Sequence, residues 1–321
     1  MAGETVLLAK GLGDLAILRR AIVSLQHLLA AGDVRLDTAD RATDGLELRP
    51  PPEGAQSLSE IPCQHTEAHI LMMRDAGRET SRRFLPRITS MDLEALKREA
   101  ALTAFTEVRS GMRLGLGTGS TVFHLLVGLG AALREGRLND IAGVPTSERT
   151  ARQCREEGIP LLALEEAGAL DLAIDGADEI DPLLDLIKGL GGALLREKMV
   201  ALQARRFIVI ADHTKDVQRL GTRSPLPVEV VPFAWRSHLP FLGALGCRVV
   251  PRSGPTGDLA LTDNGNVILD LHFANGIPDA AALARALDAR PGIVDHGLFL
   301  GLCARAILAT PEGVRSHSRP A

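Results

Sequence analysis

Cysteine is scarce in this sequence, and its four instances lie far from one another. Cys63, Cys154, Cys247 and Cys303 form no C-x-x-C pair, so they read as free thiols in a reducing compartment. Long apolar runs are absent as well. No stretch is long enough to span a bilayer. The opening "MAGETVLLAKGLGDLAILRRAIVSLQ" lacks a basic segment followed by an unbroken apolar one, which makes it a poor signal peptide. These absences predict a cytoplasmic protein with no membrane partner. Positive charge is not in excess: 36 Lys and Arg stand against 40 Asp and Glu, a formal net charge of −4. That balance argues against a surface specialised for nucleic acid, while a local cluster can still hold a small anion. Trp235 and the six methionines show no cofactor pattern, and no internal repeat or low-complexity tract is evident.

The 321 residues, 45% hydrophobic and 24% charged, suit a globular protein able to bury one large core or two. Residues 1–90 differ in character from the rest. They hold one amphipathic stretch, "LAILRRAIVSLQHLLAAG", a breaker in "LRPPPEGAQS" and an Arg-rich run, "RDAGRETSRRFLPR". They are expected to be a weakly ordered extension, either an appendage or the product of an over-long gene model, with Met91 opening the functional unit. From "MDLEALKREAALTAFTEV" onward, helices alternate with short apolar strands. The strand candidates are "MRLGLG", "IPLLAL", "LDLAI" and "FIVIAD", and helices are expected near 120–134, 148–157 and 192–205. This is the pattern of a Rossmann-like α/β fold, a parallel sheet covered on both faces. After "TRSPLPVEV" the rhythm changes. "PVEVV", "CRVV" and the hairpin "LALTDNGNVILDL", turning at Asn264-Gly265, predict paired strands with a helix at 279–289. The expected domains are therefore 91–224 plus 298–314 and a smaller α+β, ferredoxin-like unit at 225–297. "RAILAT" returns to the main sheet, and 315–321 is a C-terminal tail.

Three stretches carry chemistry. In "GLGTGSTV", between a strand and a helix, glycines let backbone N–H groups approach a phosphate, and Thr118, Ser120 and Thr121 add hydroxyls. The spacing is neither a P-loop nor a dinucleotide fingerprint, and a tight turn with a Ser/Thr cap is the plain reading. In "DGADEID", Asp175 ends a strand and Asp178 follows three residues on, so both can face one cavity beyond the sheet. A solvated turn and a magnesium site compete with acid/base chemistry there. In "KGLGGALLREK", Lys188 precedes a glycine turn, and Glu197 and Lys198 lie on the following helix. Glu197 there can equally serve the helix dipole or a salt bridge, and Lys198 is expected on the surface. Lys97 and Lys215 are candidate phosphate ligands against a reading as solvated lysines. Cys63, His65 and His69 have a metal-compatible spacing without a second ligand pair. His124 and His272 are expected to pack or cap.

Taken together, "GLGTGST", "GVPTSERT", "DGADEID", "KGLGGALLREK", "FIVIADHTK", "LPVEV", "TDNGNVILD" and "GLF" closely resemble the type A ribose-5-phosphate isomerase family in order and spacing, from about Leu93 to Val314. The resemblance implies interconversion of D-ribose 5-phosphate and D-ribulose 5-phosphate in the non-oxidative branch of the pentose phosphate pathway. It implies no metal and no cofactor, a small-molecule substrate as the partner, and a homodimer or homotetramer. Carried over, Glu197 is the catalytic base. The substrate-binding loops are Thr118, Gly119, Ser120 and Thr121; Asp175, Gly176, Ala177 and Asp178; and Lys188, Gly189, Leu190 and Gly191. Lys215 is a further substrate contact, and Lys97 stands at the phosphate end.

The chemistry then assigns roles. One dry carboxylate can move a proton from C2 to C1 through a cis-enediolate. Lys188 is the donor to the negative oxygen that forms, and Asp175 and Asp178 orient sugar hydroxyls. Glu179 and Asp181 finish the turn ahead of Pro182. A sugar-phosphate sensor on the same fold is the alternative. Leu190 departs from the glycine that members usually carry there, which would strain it or shift the loop if φ must be positive.

Overall fold

The computed structural model describes residues 90–319. The expected N-terminal extension, its amphipathic stretch and the Cys63, His65 and His69 spacing lie outside the described residues. Helix α1 (Ser90–Phe105) leads into β1 (Arg113–Leu116), α2 (Ser120–Arg134), β2 (Ala142–Pro145), α3 (Glu148–Glu157), the one-turn α4 (Leu164–Ala167) and β3 (Leu172–Asp175). Two short strands, β4 (Glu179–Ile180) and β5 (Leu186–Ile187), precede α5 (Leu194–Gln203) and β6 (Phe207–Asp212). Next come β7 (Leu226–Val230), α6 (Leu239–Ala244), β8 (Arg248–Pro251), β9 (Val267–His272), α7 (Ala280–Asp288) and β10 (Ile293–His296). The strands β11 (Leu298–Phe299), β12 (Arg305–Thr310) and β13 (Gly313–Ser318) follow.

The main sheet has the order β13-β12-β6-β3-β1-β2, parallel except where β13 runs antiparallel to β12. A parallel sheet must be covered on both faces, and the side chains divide accordingly. Leu114, Leu116, Leu172, Ile174, Ile208 and Ile210 join α1 and α2 in one core. Ala173, Phe207, Val209 and Ala211 join Val200 and Ala201 of α5 in the other. Strand alternation thus sends Asp175 to the α5 face along with Ala173. The chain leaves β1 for one side of the sheet and returns across it to β3. The crevice beyond the carboxyl ends of β1 and β3 is therefore a topological switch point, where open α/β sheets bind ligands.

A second sheet, β10-β7-β9-β8, is wholly antiparallel. Leu242 of α6 and Leu283 and Leu287 of α7 share a core with its Val228, Val230 and Leu269. The small strands β11-β5-β4 form a third sheet that brings Ile187, and hence Lys188, to the end of the main one.

Two expectations are corrected. "IPLLAL" is not a strand: Leu161 makes only an isolated bridge to Gly143, and the neighbour of β1 is the short "AGVP" segment β2. The Leu-rich run instead lays Leu161 and Leu162 against the two cores from a loop. The tail expected from 315 is part of β13, with Arg315–Ser318 paired to β12. Its outward, polar residues hide the apolar alternation by which strands are read.

Candidate active site

At the switch point lies a cavity of about 250 Å³. Its wall includes Lys97, Thr118, Gly119, Ser120 and Thr121 from α1 and the start of α2, and Gly176, Ala177 and Asp178 from the turn after β3. Lys188, Gly189, Gly191 and Glu197 complete it from the α5 side, with Lys215 beyond β6. Of the residues singled out in sequence, Asp175 and Leu190 do not line the cavity. Arg149, which lies within "GVPTSERT" but has no role assigned from sequence, does.

One end of the cavity is built for an anion. Gly119 precedes α2 with φ 138°, in the range that favours glycine, and no side chain caps the helix. No acidic residue occupies its first turn. The first-turn amides and the helix dipole are thus available to a phosphate. The Thr118 hydroxyl is not, because it is tied to Thr146 at 2.8 Å, Ser147 at 2.7 Å and Thr150 at 3.0 Å. Those bonds clamp the loop, so Thr118 serves it as a strut. Lys97 reaches the cavity but is paired with Glu94 at 2.6 Å. Lys215 closes the single 3₁₀ turn His213–Lys215, whose first residues are fixed by the Asp212 carboxylate accepting from the Thr214 N–H at 2.9 Å.

The other end holds three buried charged groups. Asp175, Lys188 and Glu197 are 3%, 2% and 5% exposed. Lys188 Nζ lies 3.0 Å from Asp175 Oδ2 and 3.3 Å from Glu197 Oε2, and it donates to the Gly176 carbonyl at 2.6 Å. Asp175 Oδ1 accepts from the N–H groups of Thr118 at 2.9 Å and Gly176 at 2.7 Å. Glu197 is there because Leu194, Glu197, Val200 and Ala201 form the buried face of α5. Its Oε2, despite the ion-pair distance, has no hydrogen-bond partner.

The energetic consequence is a shifted acid. Burial, reinforced by the negative charge of Asp175, pushes the Glu197 carboxyl up to about 8 against the opposing pull of Lys188. Burial also raises Asp175. For Lys188, burial disfavours the charge, but Asp175, Glu197 and Asp178 outweigh it and keep the ammonium protonated. The site therefore pairs a carboxyl poised near neutral pH with a fixed cation, an arrangement suited to proton transfer next to a developing oxyanion.

The family description "Ribose 5-phosphate isomerase A (phosphoriboisomerase A)" matches residues 142–313. Ribose-5-phosphate isomerase A of Roseiflexus castenholzii is 55% identical over 224 residues, 70% of this chain and 95% of the relative. The chain belongs to the ribose 5-phosphate isomerase A family. The Deinococcus radiodurans member is 50% identical over 231 residues, 71% of this chain and 100% of the relative. A solved ribose 5-phosphate isomerase from Plasmodium falciparum, 37% identical, superimposes with a TM-score of 0.69 over 71% of this chain and 100% of its own.

Within this isomerase-family site, the acidic cluster divides its labour. Asp178 lines the cavity and accepts from the Leu190 N–H at 2.9 Å. Asp181 closes its turn by accepting from the N–H groups of Leu183 and Asp185, both at 2.9 Å. Glu179 does not finish that turn. It is fully buried in β4 and accepts from the N–H groups of Gly221, Arg223 and Ser224. Leu190 is not among the residues with positive φ, so its side chain carries no backbone strain there.

Lys198 is not a solvated surface residue either. It bonds Asp295 at 2.5 Å and the His296 carbonyl at 2.7 Å, tying α5 to the second sheet. His124 meets Phe123 edge-on and contacts Glu94 at 3.2 Å. Among the described residues no group of three or more His, Cys, Asp or Glu is placed to hold a metal ion.

Proposed function

We propose that this chain interconverts D-ribose 5-phosphate and D-ribulose 5-phosphate, a step of the pentose phosphate pathway, with Glu197 carrying the proton. The observation behind this reading is the cavity's polarity. An uncapped helix start lies at one end, and a buried carboxyl raised to about 8 beside an ammonium lies at the other.

The phosphate rests on the amides around Gly119–Thr121, within reach of Lys97 and Lys215. The open-chain sugar runs toward Glu197. As carboxylate, Glu197 takes the proton from C2; the C–H electron pair becomes the C1=C2 bond, and the negative charge moves to the carbonyl oxygen. Lys188 holds that oxygen, doing electrostatically what a Lewis acid would do elsewhere. After the hydroxyl proton passes between O2 and O1, Glu197 returns its proton to C1, which leaves the ketone at C2. Asp178 orients the sugar hydroxyls. Asp175 keeps Lys188 in place and prevents Glu197 from becoming too acidic to act as a base. A sensor has no use for a base tuned in this way.

The deciding experiment is direct assay of ribulose 5-phosphate formation by the purified full chain, with Glu197→Gln alongside. Turnover lost in the variant while ribose 5-phosphate still binds is the expected result. Binding without turnover by the parent protein would overturn the reading.

A further inference from the structure

The loop that supplies Lys188 is held from the second sheet by an ion pair. Arg252, just after β8, donates from Nε to Asp270 Oδ2 at 2.9 Å and from Nη2 to Oδ1 at 2.5 Å. This two-pronged contact with β9 fixes the guanidinium plane. The remaining nitrogen, Nη1, donates to the carbonyls of Gly189 at 2.9 Å and Leu190 at 3.1 Å. We infer that the Arg252–Asp270 pair is a positioning device for Asp178, acting through the orientation of the peptide between Gly189 and Leu190.

A trans peptide is planar, so its C=O and N–H point in opposite directions, and the described residues contain no cis bond. Arg252 takes the C=O of the 189–190 peptide, and Asp178 takes its N–H at 2.9 Å. Rotating that peptide would lose both bonds, and with them the loop's own Gly192 N–H to Gly189 O bond at 3.0 Å, and would turn a carbonyl oxygen toward the Asp178 carboxylate. Backbone torsions within the loop add little resistance to such a rotation. Gly189 has φ 105° and Gly192 φ 81°, conformations that glycine enters and leaves freely. The Leu190 side chain is 41% exposed and adds no core packing. Arg252 adds an anchor from outside the loop that favours the same peptide orientation as the Gly192 bond. With one Asp178 oxygen held by Leu190, the other is left for a sugar hydroxyl. The inference rests on the reading of Asp178 given above.

A double-mutant cycle on the full-length protein tests it. Arg252→Met keeps the aliphatic stem and removes the guanidinium; about a tenfold loss in kcat/KM for ribose 5-phosphate is expected. Asp178→Asn should lose at least as much, and the double variant should be no worse than Asp178→Asn alone. A residue that merely stabilised the fold would give losses that multiply. If Arg252→Met does not fold, Asp270→Asn, which leaves Arg252 in place but unoriented, enters the same cycle. Multiplying losses, or an unimpaired Arg252→Met enzyme, would overturn the clamp alone. An unimpaired Asp178→Asn enzyme would remove the role of Asp178 and the clamp with it.

Discussion

Lys188 Nζ lies 3.3 Å from Glu197 Oε2, with both side chains nearly closed to solvent. A base must be deprotonated to act, and burial lifts the Glu197 pKa to about 8. We expect kcat/KM to rise with pH on a limb near 8, far above the ordinary carboxylate range. Removing the ammonium with Lys188→Met removes the group that opposes this rise. The limb should then move to higher pH, with kcat falling by at least about 10². A pH–rate profile of the parent with its acid limb near 4.5 would count against Glu197 as the base.

The same shift predicts a stability effect of definite sign. A carboxyl whose folded pKa exceeds its unfolded value binds its proton more tightly in the native state. Its contribution is fully present below about 4.5 and is lost as pH rises through about 8. Glu197→Gln cannot lose a proton. Thermal melts should show the variant gaining on the parent protein as pH goes from 5 to 9, even though it has lost at least about 10² in kcat with KM little changed. A Tm difference that does not change across that range would contradict the raised carboxyl.

Gly117 is fixed by what stands beside it. A Cβ at this position would lie 2.1 Å from the Asp175 carboxyl carbon and 2.6 Å from its Cα. Gly117→Ala should displace Asp175 from Lys188, with an overpacking cost of about 1–3 kcal/mol. It should lower kcat by at least about tenfold. Wild-type kcat in a folded Gly117→Ala protein would show that the position of Asp175 is immaterial to Lys188.

The parts of the site legible in sequence are those confined to one short stretch. "DGADEID" announces a strand-end acidic turn, and "GLGTGST" announces a glycine-lined helix start. What the strings do not carry is direction. Asp175 reaches Lys188 because alternation along β3 turns it to the α5 face, whereas Asp178, three residues later, lines the cavity. Glu179 reads as a turn residue in sequence because its partners, at 221–224, are some forty positions away in the chain. Arg252 was invisible for the same reason, since its partners at 189–190 come from another sheet's neighbourhood. In the fold, β2 and β13 carry no strand signal in sequence because one is short and ends in proline and the other is a polar edge.

Arg149 follows from counting charge at the phosphate end. A phosphate monoester carries about −1.5 to −2 near neutral pH. Of the cationic side chains lining the cavity there, Lys97 is already paired with Glu94. Lys215 and Arg149 have no carboxylate partner among the described residues. Together with the helix-start amides, these two cations can match the charge of one phosphate. Arg149→Gln should therefore raise KM for ribose 5-phosphate about tenfold, the loss expected for one charge-assisted hydrogen bond, while kcat changes less than about twofold. Because the contact is partly open to water, added salt should raise KM in the parent more steeply than in the variant. Inorganic phosphate, as a competitive inhibitor, should weaken in parallel. A fall in kcat with unchanged KM would place Arg149 with the proton-transfer groups rather than at the phosphate.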